Sequence, residues 1–385
     1  MYACTHAVVF ANLILEGKPC GVHGFFLQLR DHNGKVMPGI EVGEIGPKFP
    51  HNHVNIGYAR FDKVRVPRFN MFQKIFQVTR NGEFVAPPPK VGKIKNISMM
   101  VMRVMNVSWA ARDTSKAATI AVRYSAVRKQ GFKDTTKRDG GGRGENTILD
   151  YKMQQYRVLK AVSLSFMFFW NVRYLSDYLE EVQMKVSFGD ERERAKAAEE
   201  LPELHVTCAG LKAWSTVNGH SNIEECRKAC GGQGFMRSSG IADLVTTFAE
   251  PVTVEGEQVI LSLQVGRFLV KSVRHIRQGK VPKGSVEYLL QKPLGRVSFV
   301  PGNIDLLIDL FRDRARRLAY RLEARFSRCQ SKGLTFDEST NSCAILSYKA
   351  SFCHSSYVMA RNNYKALADF VKDSKVLAAL KRVGF

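Results

Sequence analysis

Two acidic residues, Glu255 and Glu257, flank Gly256 in the run Val254-Glu255-Gly256-Glu257-Gln258, with Val252, Val259 and Ile260 close by. A carboxylate there could move a proton if its apolar neighbours desolvate it, although a glutamate taken alone usually sits in solvent. Upstream, Cys226-Arg227-Lys228-Ala229-Cys230 leads into Gly231-Gly232-Gln233-Gly234. Glycines so placed let backbone N–H groups approach an anion, and equally serve as a helix C-cap and turn. Arg128, in Tyr124-Ser125-Ala126-Val127-Arg128, could add charge to an anion site or stand solvated on a helix. His51 with His53, and Cys226 with Cys230 one helical turn apart, are of metal-ligating types. No third ligand accompanies the histidines, so they read as a loop, and the cysteines read as buried helix residues. No metal is expected.

The elements that must position these residues change character along the chain. The first 90 or so residues hold short apolar runs, Ala7-Val8-Val9-Phe10, Gly24-Phe25-Phe26-Leu27-Gln28-Leu29, Gly39-Ile40-Glu41-Val42 and Tyr58-Ala59-Arg60-Phe61, broken by turn residues such as Asp31-His32-Asn33-Gly34. This is strand patterning. Pro87-Pro88-Pro89 stiffens a linker and marks a boundary. From Ile97 the apolar period becomes helical, and the Ala/Ser content around Ser108-Trp109-Ala110-Ala111 and Ser115-Lys116-Ala117-Ala118 suits close-packed helices. Asp139-Gly140-Gly141-Gly142-Arg143-Gly144 reads as a flexible loop and Ile148 to Leu179 as a second helix. Residues 190–200 read as a solvated turn or helix end, Pro202 to Asn218 as a third helix and Glu224 to Cys230 as a fourth. A fifth helix follows over Val259 to Arg274, with Val259, Leu263, Val270 and Val273 on one face. Further helical sequence spans Asp305 to Arg328 and Ser342 to Lys381.

The chain has 385 residues, 45% hydrophobic and 24% charged, enough for a large core. Its longest charge-free apolar stretches, Met1 to Leu15 and Ala161 to Val172, fall short of the ~20 residues that cross a bilayer, so no transmembrane helix is expected. The N-terminus lacks the basic start of a signal peptide and the eight cysteines are scattered, which predicts a reducing intracellular compartment. The formal charge of +23 calls for an anionic partner. Basic residues are dispersed, with no zinc-finger spacing and no aromatic RNA-binding motif, so nucleic acid is not the expected one.

Three stretches, in this order, resemble the acyl-CoA oxidase and acyl-CoA dehydrogenase superfamily, and most of all its peroxisomal acyl-CoA oxidases. They are Pro38-Gly39-Ile40-Glu41-Val42-Gly43-Glu44-Ile45-Gly46-Pro47-Lys48-Phe49 with Phe61-Asp62-Lys63-Val64-Arg65-Val66-Pro67, then Ile120-Ala121-Val122-Arg123-Tyr124-Ser125-Ala126-Val127-Arg128, then Cys226 to Phe235 with Val254 to Gln258. The resemblance covers residues 3 to 280 well and the rest loosely. It implies an α+β chain: a partial β-rich middle domain over 1–90, an acyl-CoA dehydrogenase-like α-bundle over 91–280, and an incomplete C-terminal helical oxidase domain over 281–385. On this reading the chain begins inside the middle domain and is N-terminally incomplete.

The resemblance further implies chemistry. Glu255 would remove the α-proton of an acyl-CoA thioester while the β-hydride passes to FAD, giving a trans-2-enoyl-CoA, with O2 reduced to hydrogen peroxide in fatty-acid β-oxidation. A model glutamate, with a pKa of about 4.3, is too acidic for that task, so the apolar flanks would have to raise it. Gly256 lets the thioester approach the backbone, whose Glu255 N–H would polarise its carbonyl, and Arg103 would stand near the substrate pocket. Glu257 is the lesser candidate, being suited to a helix start by the dipole alone. Arg128 with Gly231, Gly232, Gln233 and Gly234 would approach FAD across a homodimer interface. Localisation would be peroxisomal, although the C-terminal Lys381-Arg382-Val383-Gly384-Phe385 lacks a Ser-Lys-Leu signal. An acyl-CoA dehydrogenase, and a non-catalytic subunit or scaffold built on the bundle, remain open alternatives.

Overall fold

A computed structural model describes residues 3–87, 97–132, 144–298, 300 and 302–377. The chain folds as two compact units, Met1–Asn96 with Gly189–Glu199, and Ile97–Phe188 with Glu200–Phe385. The fold is α+β.

The first unit is built of antiparallel hairpins. Strands β1 (His6–Leu15) and β2 (Lys18–Gln28) pair from His6 opposite Gln28 to Leu15 opposite Lys18. Their two-residue turn, Glu16-Gly17, has φ of 49° and 78°, the double left-handed geometry whose twist matches the flanking strands. β3 (Ile40–Glu44) pairs with β4 (Gly57–Phe61), and the short β5 (Gln77–Val78) with β6 (Phe84–Val85). Leu27, Leu29, Met71 and Val78 form the buried centre. His23 is buried among them, edge-on to Phe76 and Phe84.

The second unit is helical. Helix α1 (Ile97–Val127) buries Val104, Val107, Ala110, Ala117, Ala118 and Ala121 at spacings of three, four and seven, the stripe of a helix packed along one side. The alanines bring it close to α2 (Lys152–Phe188). Between the two helices, β7 (Lys129–Phe132) and β8 (Glu145–Thr147) form a short ribbon, and Ile148–Asp150 is a 3-10 turn. Gln154 of α2 ties the bundle together, donating to Ser125 Oγ at 2.9 Å and to the Ala229 carbonyl at 2.8 Å.

The sequence pattern missed one feature here. A single helix, α3 (Glu191–Ala229), replaces the two expected at Pro202–Asn218 and Glu224–Cys230, and absorbs the charged stretch expected to be a turn. Gly219 does not break it, because the site is filled from outside: a Cβ there would lie 3.1 Å from Phe248. Asn218 and Asn222 bond back to the carbonyls four residues earlier instead of turning the chain. Pro202 sits inside this helix. The second expected helix also shifts, to Lys152–Phe188.

Three short helices follow, α4 (Gly231–Phe235), α5 (Ile241–Thr247) and α6 (Ala249–Thr253), then α7 (Gln258–Arg277), α8 (Ile304–Ser331), α9 (Phe336–Ser342) and α10 (Ala344–Phe370). Helix α10 packs on α2, α7 and α8. It approaches closely: a Cβ on Gly210 of α3 would meet Ser355 Oγ at 2.7 Å, and one on Gly266 of α7 would collide with Ser347. Asn362 of α10 donates to Asn171 of α2, whose own amide donates to the Met359 carbonyl. The expected helix to Lys381 ends at Phe370. Pro88-Pro89, residues 139–143 of the glycine loop and the last eight residues lie outside the described residues. Among the described residues no helix is long and apolar enough to cross a membrane.

Candidate active site

The link from α6 to α7 makes a sharp, left-handed turn. Val254 is extended, with ψ of 160°, and then Glu255 and Gly256 take φ of 57° and 103°. Glu257 returns to φ of −65° and caps α7, its carboxylate accepting from the Val259 N–H at 2.8 Å. This explains Glu257 as a capping residue. Position 256 requires glycine on two counts: its φ, and a Cβ that would lie 2.6 Å from Leu261, a fully buried side chain. Glu255 has no such excuse. A residue with a Cβ in the left-handed region costs about 1–2 kcal/mol, and among the described residues of the helical unit it is the only non-glycine there.

Two buried cations hold this turn. Arg103 of α1, 1% exposed, donates from Nε to the Glu255 carbonyl at 3.3 Å, and its guanidinium stands 3.4 Å from His205 Nε2. Lys212 of α3, fully buried, donates from Nζ to the Gly256 carbonyl at 2.8 Å. Burial lowers the Lys212 pKa to about 8, assisted by repulsion from Arg103 and opposed by attraction to Glu255 and Glu257. Burial also lowers Arg103, against the attraction of Cys208 and Glu255. His205 is pulled down by burial and then by Arg103. Burial pushes the Cys208 thiol up to about 12, so it is an inert thiol rather than a nucleophile. The Glu255 carboxylate is half-buried and makes no hydrogen bond or ion pair among the described residues, nor does its N–H find an acceptor there. A carboxylate and a backbone donor are thus left unused side by side.

The structure therefore brings Glu255, Gly256 and Arg103 together. Lys212 and His205 escaped the sequence reading. Their signal was present: a lysine inside Cys208-Ala209-Gly210-Leu211-Lys212-Ala213-Trp214 is a charge where the helix has no solvent face.

The second group of expected residues gathers at a cavity of about 400 Å³. Arg128 lines it with Gly231 and Gly232, opposite Tyr124, Gln154 and Arg157. Arg157 and Lys228 both pair with Glu225, the former at 3.1 Å. Arg128 is exposed and forms no ion pair among the described residues. Gln233 is exposed on α4 and Gly234 is buried, and neither lines the cavity. Gly234 has a packing reason of its own, since a Cβ would collide with the Arg227 carbonyl. Cys226 and Cys230 are buried, and burial raises both thiols. Among the described residues no group of three or more His, Cys, Asp or Glu could hold a metal ion.

Residues 97–270, from the start of α1 into α7, match the acyl-CoA oxidase C-alpha1 domain. Over 393 residues the chain is 35% identical to peroxisomal acyl-coenzyme A oxidase 1 of Rattus norvegicus, covering 98% of this chain and 56% of that one. The Arabidopsis thaliana protein of the same name is 37% identical over 349 residues, covering 87% and 50%. Among solved structures, an acyl-CoA oxidase from tomato superposes with a TM-score of 0.85 at 32% identity, over 99% of this chain and 57% of its own. Acyl-CoA oxidase-2 of Caenorhabditis elegans, bound with FAD, ascaroside-CoA and ATP, gives 0.86 at 27% identity, over 99% and 55%. The chain spans about half the length of the curated relatives it matches. With that domain, these relatives and this fold, the chain belongs to the acyl-CoA oxidase family.

Proposed function

We propose that the chain carries the proton-abstracting half of an FAD-dependent acyl-CoA oxidase site. The overall reaction takes an acyl-CoA and O2 to a trans-2-enoyl-CoA and hydrogen peroxide. One observation carries the reading: Glu255 is held in a strained left-handed turn with both its carboxylate and its N–H unengaged among the described residues. Backbone strain of this kind persists where the surroundings enforce it, and it clusters at sites of chemistry.

In this reading the Glu255 carboxylate accepts the α-proton of the thioester, and the Glu255 N–H donates to the thioester carbonyl, where charge develops. Gly256, bare of a side chain, leaves room for the thioester beside the backbone. Arg128, Gly231 and Gly232 suit the pyrophosphate of FAD, because a guanidinium unpaired among the described residues and an open backbone face one cavity. FAD, when bound, supplies the hydride acceptor. Met153, Tyr156, Leu159 and Phe166 of α2 are each more than half exposed and recur along one helix face. A stripe like this supports a homodimer. We place residues 281–385 as a C-terminal helical domain beyond the bundle of 91–280 and the β-rich 1–90, and we expect a peroxisomal setting, as in the relatives' names.

The test is the visible spectrum of the purified chain with FAD, anaerobic addition of acyl-CoA, and peroxide measured in air. Bleaching with peroxide supports the oxidase, bleaching without peroxide a dehydrogenase, and no bleaching a non-catalytic subunit. Glu255→Gln should lower turnover at least ~100-fold with flavin retained; undiminished turnover rules out Glu255 as the base.

A further inference from the structure

The carbonyls of Glu255 and Gly256 are consecutive, and each accepts from a different buried cation, Arg103 and Lys212. These cations arrive from α1 and α3, whereas the turn itself joins α6 to α7. A neutral amide or hydroxyl would satisfy a carbonyl at far lower desolvation cost than an ammonium and a guanidinium, so the charges themselves call for an explanation. Facing Lys212 are Arg103 from α1 and Glu255 and Glu257 from the turn, while His205 and Cys208 of α3 face Arg103. Two cations therefore stand against two carboxylates, with Glu257 committed to the helix cap and Glu255 without a hydrogen bond or ion pair among the described residues.

We propose that Lys212 and Arg103 are positioning residues, a two-cation clamp that holds the Glu255-Gly256 turn in its left-handed form and so sets where the Glu255 carboxylate and N–H point. This rests on Glu255 being the base. The clamp acts through the backbone and touches no reacting atom. Loss of the Lys212 donor frees one carbonyl and lets the strained turn relax toward ordinary φ. A hydrogen bond from a charged donor corresponds to roughly a 10- to 100-fold change in the population of the clamped turn.

The experiment compares the full chain with Lys212→Met, Lys212→Arg and Arg103→Met by amide hydrogen exchange read by mass spectrometry. In Lys212→Met, exchange in peptides covering 253–258 should rise at least ~10-fold while peptides from α2 and α10 stay unchanged; Lys212→Arg, which keeps a cationic donor, should recover part of the protection. Unchanged exchange at 253–258 overturns the clamp. If Lys212→Met does not fold, Arg103→Met, which removes the other cationic donor, must show the same local rise, and its absence overturns the proposal equally. Where the wild-type chain bleaches flavin with acyl-CoA, kcat of Lys212→Met should fall ~10- to 100-fold with KM changed less than about threefold. A kcat unchanged beside a loosened turn overturns the positioning role. A loosened turn in a chain that never bleaches flavin leaves the clamp standing and sinks the base assignment instead.

Discussion

If Glu255 is strained for the sake of its side chain, removing the side chain should relieve the strain. The clean comparison is Glu255→Gly against Glu255→Gln, because both delete the negative charge near Arg103 and Lys212 and only the glycine deletes the Cβ. At φ of 57° the Cβ costs about 1–2 kcal/mol. The greater freedom of glycine in the unfolded chain takes back about 0.4–1 kcal/mol. The carboxylate has no hydrogen bond or ion pair to lose among the described residues. Glu255→Gly is therefore expected to be more stable than Glu255→Gln by about 0.5–1 kcal/mol, while both are inactive. Trp109, Trp170 and Trp214 lie in α1, α2 and α3, so tryptophan fluorescence through a urea series reports the helical unit alone. The measurement is the difference in midpoint at equal m-value. A glycine variant no more stable than the glutamine variant would refute stored strain at this residue.

Two further outcomes follow from buried charge elsewhere in the bundle. Glu323 of α8, 2% exposed, faces Arg274 and Arg277 of α7 at 3.5 and 2.5 Å and accepts from Ser327 at 2.6 Å. Because Arg277 is half in solvent, Glu323→Ala should cost about 2–3 kcal/mol in a denaturant titration, below the value for a fully buried pair; a loss under 1 kcal/mol would count against it. His354 of α10 is buried against Tyr288, its ring nitrogen 3.1 Å from the hydroxyl, and burial followed by Arg361 repulsion lowers its pKa to about 3. The folded chain keeps it neutral while the unfolded chain takes a proton below about 6.5. Its contribution is present above that pH and lost as pH falls toward 3, about 2 kcal/mol by pH 5. His205, also lowered, acts in the same direction. Stability measured from pH 7 to 5 should fall less steeply in His354→Gln, and an identical slope would exclude this histidine as a source of acid lability.

Much of the architecture could be read from residue pattern because a stripe buried on one side writes its period into the sequence. Helix α1, with alanines facing a neighbour, began where the pattern placed it, and α7 ran close to the expected Val259–Arg274; its buried face, however, is Leu261, Val265, Leu269, Val270 and Val273, and Val259, expected on that face, is exposed. Helix α3 was misread for the opposite reason. It buries polar Thr207, Ser215, Thr216 and Asn222 as well as leucines, and shows no single face. Its Gly219 and Asn222 then look like breakers, although tertiary contact with Phe248 decides the matter. Of the candidate site residues, Glu255, Gly256, Arg128, Gly231 and Gly232 came from motifs of the resemblance and Arg103 from its position alone; the structure brings Glu255, Gly256 and Arg103 together and puts Arg128, Gly231 and Gly232 at one cavity. Gln233 and Gly234 belonged to the motif but not to the cavity. The clamp was hidden because Lys212 lies 43 residues before Glu255, in helix α3, and spacing carries no information about a contact made between a helix and a distant turn.

The close seam between α10 and its neighbours gives that helix the character of a rigid lever. At Ser347 rotating the hydroxyl does not make room for a methyl group on Gly266, because the serine Cβ and Cα would still lie 2.9 and 3.3 Å from it, so the helix itself must move. From Ser347 to Phe370 it extends roughly 34 Å, and at its far end the Phe370 ring stacks on Trp170 at 4.6 Å. A bulkier residue at position 266 would thus register in the indole environment at the opposite end of the bundle, which makes Trp170 a built-in gauge of strain introduced far from it.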